Sequence, residues 1–350
     1  MHLSKISYTL LMFMHIAISA QSQAEVLDPN RAVKDTSGTI LWYDIDRLGI
    51  EGRGWSETAT LYDRLPSKAE GVVREPVWNL SKHSAGMCVR FVTDATTIHA
   101  RWNLRFENLD MPHMPATGVS GLDLYVRTEK GQWRWLANGR PKEFPENTAQ
   151  LVKGIPEGRR EYILYLPLYN GVTSVEVGIP VENKLETAGP WGSGDRKPIV
   201  FYGTSITHGA CASRPGMAYT AILGRWFNRP VINLGFSGNG RLELELAELM
   251  AELDPSVFFI DCLPNLNPEQ VAERAEPFVT SLRKTHPTTP IVLVEDRSYP
   301  NSFLVSSTNA RNTGNRKALR EAYLNLKDSD DNNLYYIYGD IQLGDDGEAT

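Results

Sequence analysis

The chain has 350 residues, 41% hydrophobic and 22% charged, with 36 Lys and Arg against 42 Asp and Glu. That length accommodates about two domains of ordinary size, and the composition is that of a globular protein in water. A net charge of −6 without any Lys/Arg cluster excludes a nucleic-acid-binding surface. Residues 1–24 read as a secretory leader. Lys5 is the basic start, Tyr8–Ala17 the short apolar core, and Ser22-Gln-Ala24 the small-x-small cleavage site. The apolar run is too short to span a bilayer comfortably. The mature chain is therefore expected to begin near Glu25, to be periplasmic or extracellular, and to leave the membrane after cleavage.

From about Thr39 to Pro180 the pattern is β. Thr39–Tyr43, Met87–Val92, Thr97–Trp102, Leu122–Arg127, Gln132–Leu136, Glu161–Leu166 and Val172–Gly178 are short runs bounded by Gly, Pro, Asn and Asp. Several alternate apolar with polar residues, and no amphipathic helix intervenes. This predicts a β-sandwich or jelly roll over residues 25–181. Seven of the eight tryptophans lie in this half and its linker, where core packing is the ordinary role. Trp133 and Trp135 share one strand face and could instead stack on sugars. Residues 182–196 are polar and Gly-rich and are expected to be a linker.

From Lys197 onwards strand and helix alternate. Strands are predicted at Pro198–Tyr202, Pro230–Phe236, Ser256–Leu263, Pro290–Glu295 and Leu334–Tyr338. Helices are predicted at Ala218–Phe227, Leu242–Leu253, Pro268–Lys284 and Arg316–Lys327. Apolar strands alternating with amphipathic helices give an α/β domain over 197–350, a parallel sheet covered on both faces. Such sheets hold their sites at the carboxyl ends of strands. Cys88 reads as an apolar core filler, and Cys211 and Cys262 as a possible disulfide in an exported chain. No Cys/His spacing suggests a metal site.

The residues just past the strands carry the chemistry. The first strand delivers Ser205, in Gly203-Thr-Ser-Ile-Thr207. The second delivers Asn233-Leu-Gly-Phe-Ser-Gly238, and the third Asp261-Cys-Leu-Pro-Asn265. Acyl transfer needs a nucleophile and N–H donors aimed at the developing oxyanion. Ser205 offers a hydroxyl and a backbone N–H. Gly238 offers a backbone N–H that substrate can approach closely, and Asn265 a side-chain amide. Singly, each is an ordinary cap or turn residue. Three of them after three successive strands of one sheet point to a site. Arg214, in the loop after Ser205, is a further substrate-binding candidate, with a structural turn contact as its alternative.

These three segments resemble blocks I, II and III of the SGNH (GDSL-like) hydrolases, with Gly-Thr-Ser in place of Gly-Asp-Ser. The resemblance implies a flavodoxin-like sheet, Ser205 as nucleophile, and Gly238 and Asn265 as oxyanion donors. Gly121-Leu-Asp-Leu-Tyr125 is similar to the Gly-x-Asp-Leu-Tyr motif of a β-sandwich that precedes some bacterial SGNH esterases. The family also carries a late Asp-x-x-His segment, which supplies the acid and the base. None of the seven histidines here has Asp three positions before it. Three arrangements fit: the segment lies beyond Thr350, His208 or His113 replaces it, or the scaffold binds without catalysing. The first is the expectation, with residues 1–350 alone nearly inactive.

The expected function is hydrolysis of O-acyl, foremost acetyl, esters on carbohydrate through an acyl-serine intermediate, which requires no cofactor. The substrate would be an acylated carbohydrate or another small ester. A lipid or thioester substrate is the enzymatic alternative, and a carbohydrate-binding protein with an inactive hydrolase domain the non-enzymatic one.

Overall fold

A computed structural model describes residues 24–192 and 196–344. The leader-like residues 1–23, linker residues 193–195 and the final residues 345–350 lie outside the described residues.

The front half is a sandwich of two antiparallel sheets. One runs Val33–Lys34, Ile40–Asp44, Val172–Pro180, Thr97–Leu104, Glu146–Lys153; the other runs Leu185–Thr187, Cys88–Thr93, Arg160–Tyr165, Leu122–Arg127, Trp133–Gly139. The period of two sorts the side chains. Along Thr97–Leu104, the residues Ile98, Ala100, Trp102 and Leu104 point inward and their neighbours outward. They meet Phe91, Leu124, Tyr162 and Leu164 of the facing sheet in one apolar layer. The linker is partly a strand, since Leu185–Thr187 pairs with Phe91–Thr93. Trp191 is also pinned: its ring lies under the Arg90 guanidinium and its indole N–H donates to Glu51 at 2.5 Å.

The back half is a five-stranded parallel sheet, with strands β1 (Ile199–Gly203), β2 (Val231–Gly235), β3 (Val257–Asp261), β4 (Ile291–Val294) and β5 (Leu334–Ile337). The order is β2-β1-β3-β4-β5, the flavodoxin-like arrangement. The chain leaves β1 to one side for β2 and returns to its other side for β3. A crevice therefore opens at the carboxyl end of β1. Helices Tyr219–Phe227, Leu244–Met250, Pro268–Thr285 and Ser306–Asp328 cover the sheet. The last begins ten residues before the predicted start, because its first turns meet the protein through asparagines rather than an apolar stripe.

The sandwich expected over 25–181 is interrupted. Leu65, Ala69, Val73, Val77 and Trp78 pack into the core of the parallel sheet, with Val200, Tyr202, Leu234 and Phe236. A short helix, Glu75–Leu80, that the β pattern did not predict lies in this excursion. Cys211 and Cys262 do not pair. Cys211 is exposed, whereas Cys262 is fully buried beneath β1, its Sγ facing the Tyr202 carbonyl. Cys88 is buried among Tyr125, Ile163 and Tyr165.

Candidate active site

Ser205 opens a one-turn helix, Ser205–His208, at the end of β1. Thr204 caps that helix, its side chain accepting from the Ile206 N–H at 3.3 Å. As the first helical residue, Ser205 has an N–H with no intrahelical acceptor. Its carbonyl accepts from Gly209 and Ala210 and from the Tyr169 hydroxyl at 3.3 Å. Gly209 then ends the turn at φ 115, in the left-handed region. The backbone is held from both sides while the side chain stays partly exposed.

The two other blocks close on the same point. Gly203 of β1 is in register with Gly235 of β2 and with Asp261 of β3. The Phe236 N–H donates to the Gly203 carbonyl at 2.9 Å. A Cβ on Gly240 would overlap that same carbonyl, so the second loop lies directly over the end of β1. Within it Gly238 has φ 68 and faces open space. Asn265 reaches back across, its Nδ2 donating to the Gly240 carbonyl at 3.2 Å. A primary amide has two N–H donors, so one remains for a ligand. A partly exposed serine and the loops carrying Gly238 and Asn265 thus meet at the end of β1, bringing together residue types of the kind that hold a tetrahedral oxyanion.

The third loop is held by a polar network. Asn315 Nδ2 donates to the carbonyls of Leu263 and Leu266, each at 3.1 Å, and Arg311 to that of Pro264 at 2.9 Å. Asp296 accepts from Asn312 at 2.8 Å and pairs with Arg311 at 3.4 Å. Arg297 turns the other way and grips both Asp261 oxygens, at 2.9 and 3.0 Å. Burial raises the Asp261 pKa, against the pull of Arg297.

The sandwich also reaches the site, through the Gly-x-Asp-Leu-Tyr motif. The Asp123 carboxylate is fully buried and accepts from the Gly216 N–H and the Trp135 indole, at 2.8 and 2.9 Å. Arg214 is 3.5 Å from it and lies over the Trp135 ring at 4.8 Å. Arg214 is thus anchored by the sandwich, which is the structural contact of its two sequence readings. The Tyr125 ring packs where a side chain on Gly216 would stand. The motif therefore clips down the loop that follows Ser205. Arg64 does similar work on the second loop. Fully buried, it donates to the carbonyls of Asn233 and Gly235, at 3.0 and 2.8 Å, and to those of Leu80 and His83. Burial lowers its pKa to about 9, which leaves it charged at neutral pH. A lone arginine amid turn residues gave no signal of this in the sequence.

No histidine among the described residues is hydrogen-bonded to the Ser205 hydroxyl. His208 is fully buried, stacked on Tyr169 at 4.2 Å, and its Nε2 donates to the Leu168 carbonyl at 2.7 Å. Burial pushes its pKa well down. His113 is exposed on the Met111–Met114 turn, which packs beside the loop after Ser205. His83 lies 3.4 Å from His208, His286 donates to the Ala251 carbonyl, and His99 lies against Trp42 in the sandwich.

A strand-end serine with two further loops closing on the same strand end, on a flavodoxin-like sheet behind a β-sandwich, is the arrangement of a two-unit α/β protein of the ester-hydrolase type. The GDSL-like lipase/acylhydrolase family model matches residues 196–350, and the model described as the GxDLY N-terminus of SGNH-hydrolase-type esterases matches residues 40–185. The chain is similar to the crystal structure of a GDSL-like lipase from Bacteroides ovatus, with 32% identity, 88% of this chain and 90% of that chain covered, and a TM-score of 0.82. It belongs to the GDSL-like lipase/acylhydrolase family. The fold is shared by a salicylyl-acyltransferase from a tetracycline biosynthetic pathway (19% identity, 88% and 85% covered, TM-score 0.67). It is shared too by a family two carbohydrate esterase from Clostridium thermocellum, solved with cellohexaose (15% identity, 74% and 85% covered, TM-score 0.51). No curated protein matches the sequence.

Proposed function

We propose that this protein is an exported serine esterase that removes O-acyl groups, foremost acetyl, from carbohydrate. The Ser205 hydroxyl attacks the ester carbonyl and passes its proton to a general base, a role that no described histidine is placed to fill. The resulting oxyanion is held by the N–H groups of Ser205 and Gly238 and by Asn265 Nδ2. Collapse expels the sugar alcohol, which leaves with that proton, and water then releases the acid from the acyl-serine. The observation that carries this reading is the closure of the second and third loops over Gly203, tied by Asn265 to Gly240. The carbohydrate assignment rests on the leader-like start and the sandwich beside the site, an argument from arrangement.

A fluorophosphonate probe should label the protein, and Ser205→Ala should abolish the labelling. Labelling that survives the substitution would remove Ser205 from the mechanism. Asn265→Ala should lower kcat by roughly 10²-fold, the usual effect of losing one oxyanion donor. Added free imidazole should accelerate Ser205-dependent hydrolysis, because no described histidine reaches the hydroxyl. Acetate release from acetylated glycans should exceed hydrolysis of long-chain acyl esters; the reverse order would favour a lipid substrate.

A further inference from the structure

Between the sandwich and the helix Tyr219–Phe227 runs a groove of 790 Å³. Three tryptophans line it: Trp133 and Trp135 from the sandwich edge strand, and Trp226 from the helix. Trp226 is 76% exposed and Trp135 48%, and no other tryptophan among the described residues is exposed. Every exposed indole thus opens on this one groove. Leaving an indole in water forgoes a few kcal/mol of apolar burial, so two beside one concavity mark a surface built to be covered.

The charge of the groove runs against that of the whole chain. Four arginines line it and no carboxylate does, although the protein carries a net charge of −6. Arg127 is neutralised by Glu161, and Arg214 lies against the buried Asp123. Arg134 and Arg225 have no carboxylate partner among the described residues. Arg134 is exposed on the strand between Trp133 and Trp135 and bonds only to Gln132, at 3.3 Å. Arg225 is turned inward, over the Tyr125 ring at 4.0 Å with its Nη2 donating to the Gly216 carbonyl at 2.8 Å and its Nη1 buried, so the free charge is that of Arg134. The floor is thus aromatic and the free charge positive. Indole faces stack on the C–H faces of sugar rings, and guanidinium groups pair with carboxylates. The concave shape between two rigid units suits a linear chain better than a membrane plane.

We propose that this groove binds an acidic oligosaccharide, a run of uronic acid residues, with sugar rings on Trp135 and Trp226 and a carboxylate on Arg134. The proposal rests on the carbohydrate reading above and narrows it to acidic glycans. The loop that begins at Ser205 carries Arg214 into the groove wall, so chain held there is connected to the candidate site through about nine residues of backbone.

Titration calorimetry of the full chain with unesterified hexagalacturonate tests this without any turnover. Binding is expected, about tenfold weaker in Trp226→Ala and in Arg134→Gln, and weakened by salt. Both side chains are exposed, so the variants should melt like the wild type. Ser205→Ala should bind unchanged, which separates this proposal from the esterase mechanism. Absence of binding, equal binding of neutral cellohexaose, equal binding of single-stranded DNA or anionic lipid vesicles, or unchanged affinity in both variants would each overturn it.

Discussion

His208 sits three residues after Ser205, yet the helix turns its ring into the protein. There it is stacked on Tyr169 and kept neutral by burial. His83 beside it is driven the same way, to about 3, by burial and by the positive charges of Arg64 and Arg105. Both take protons in the unfolded chain near the ordinary histidine value of 6.5 but resist them when folded. Their stabilising share is therefore complete above pH 6.5 and shrinks as pH falls, by about 1.4 kcal/mol per unit for each. Asp123 has the opposite sign. Burial raises it from 3.8 to about 6, so its share is complete below 3.8 and is lost as pH rises through 6. Chemical denaturation from pH 6.5 to 5 should show stability falling in the wild type. His83→Gln should fall by about 1.4 kcal/mol per unit less. Parallel pH curves for the two proteins would mean that His83 is not held neutral.

At the scale of elements, the ends of β1–β5 lie within two residues of the runs predicted from sequence, because buried parallel strands are almost wholly apolar. The segments containing Ser205, Gly238 and Asn265 were legible for the same reason: each follows such a strand. The helix Ser306–Asp328 was legible only from Arg316 on. Its earlier turns present Arg311, Asn312 and Asn315 to Asp296 and to the carbonyls after β3, and hydrophobic periodicity does not register a contact face of that kind. Asn315 is fully buried, so Asn315→Leu would leave the Leu263 and Leu266 carbonyls without this donor. The cost should be about 1–3 kcal/mol, because the Leu266 carbonyl is left unpaired while that of Leu263 keeps the Leu266 N–H. Because those carbonyls flank Asn265, kcat should fall more than KM rises if the third loop is part of the site. A purely structural role predicts lower stability with kcat unchanged in the folded fraction.

At the scale of the whole molecule, sequence period divided the chain at residue 182, whereas packing divides it differently. Leu65, Val73, Val77 and Trp78 belong in sequence to the first half and in space to the core of the second. The cause was hidden from a period count: residues 53–85 form turns, a 3-10 turn at Ser67–Ala69 and one short α-helix, with too few repeats to show a face. Burying four such side chains is worth about 1.5–3 kcal/mol each, together of the order of an entire domain's net stability. Arg64 adds polar contacts to Asn233 and Gly235, and Asp123 clips Gly216. A chain of residues 182–350 should therefore fail to fold cooperatively, binding a hydrophobic dye and melting without a sharp transition. Residues 25–350 should melt as one unit, since neither half is complete alone. A cooperative transition in the 182–350 chain would show that the 53–85 excursion covers a core that is already stable, and its contacts would then serve the loops around Ser205 rather than the fold.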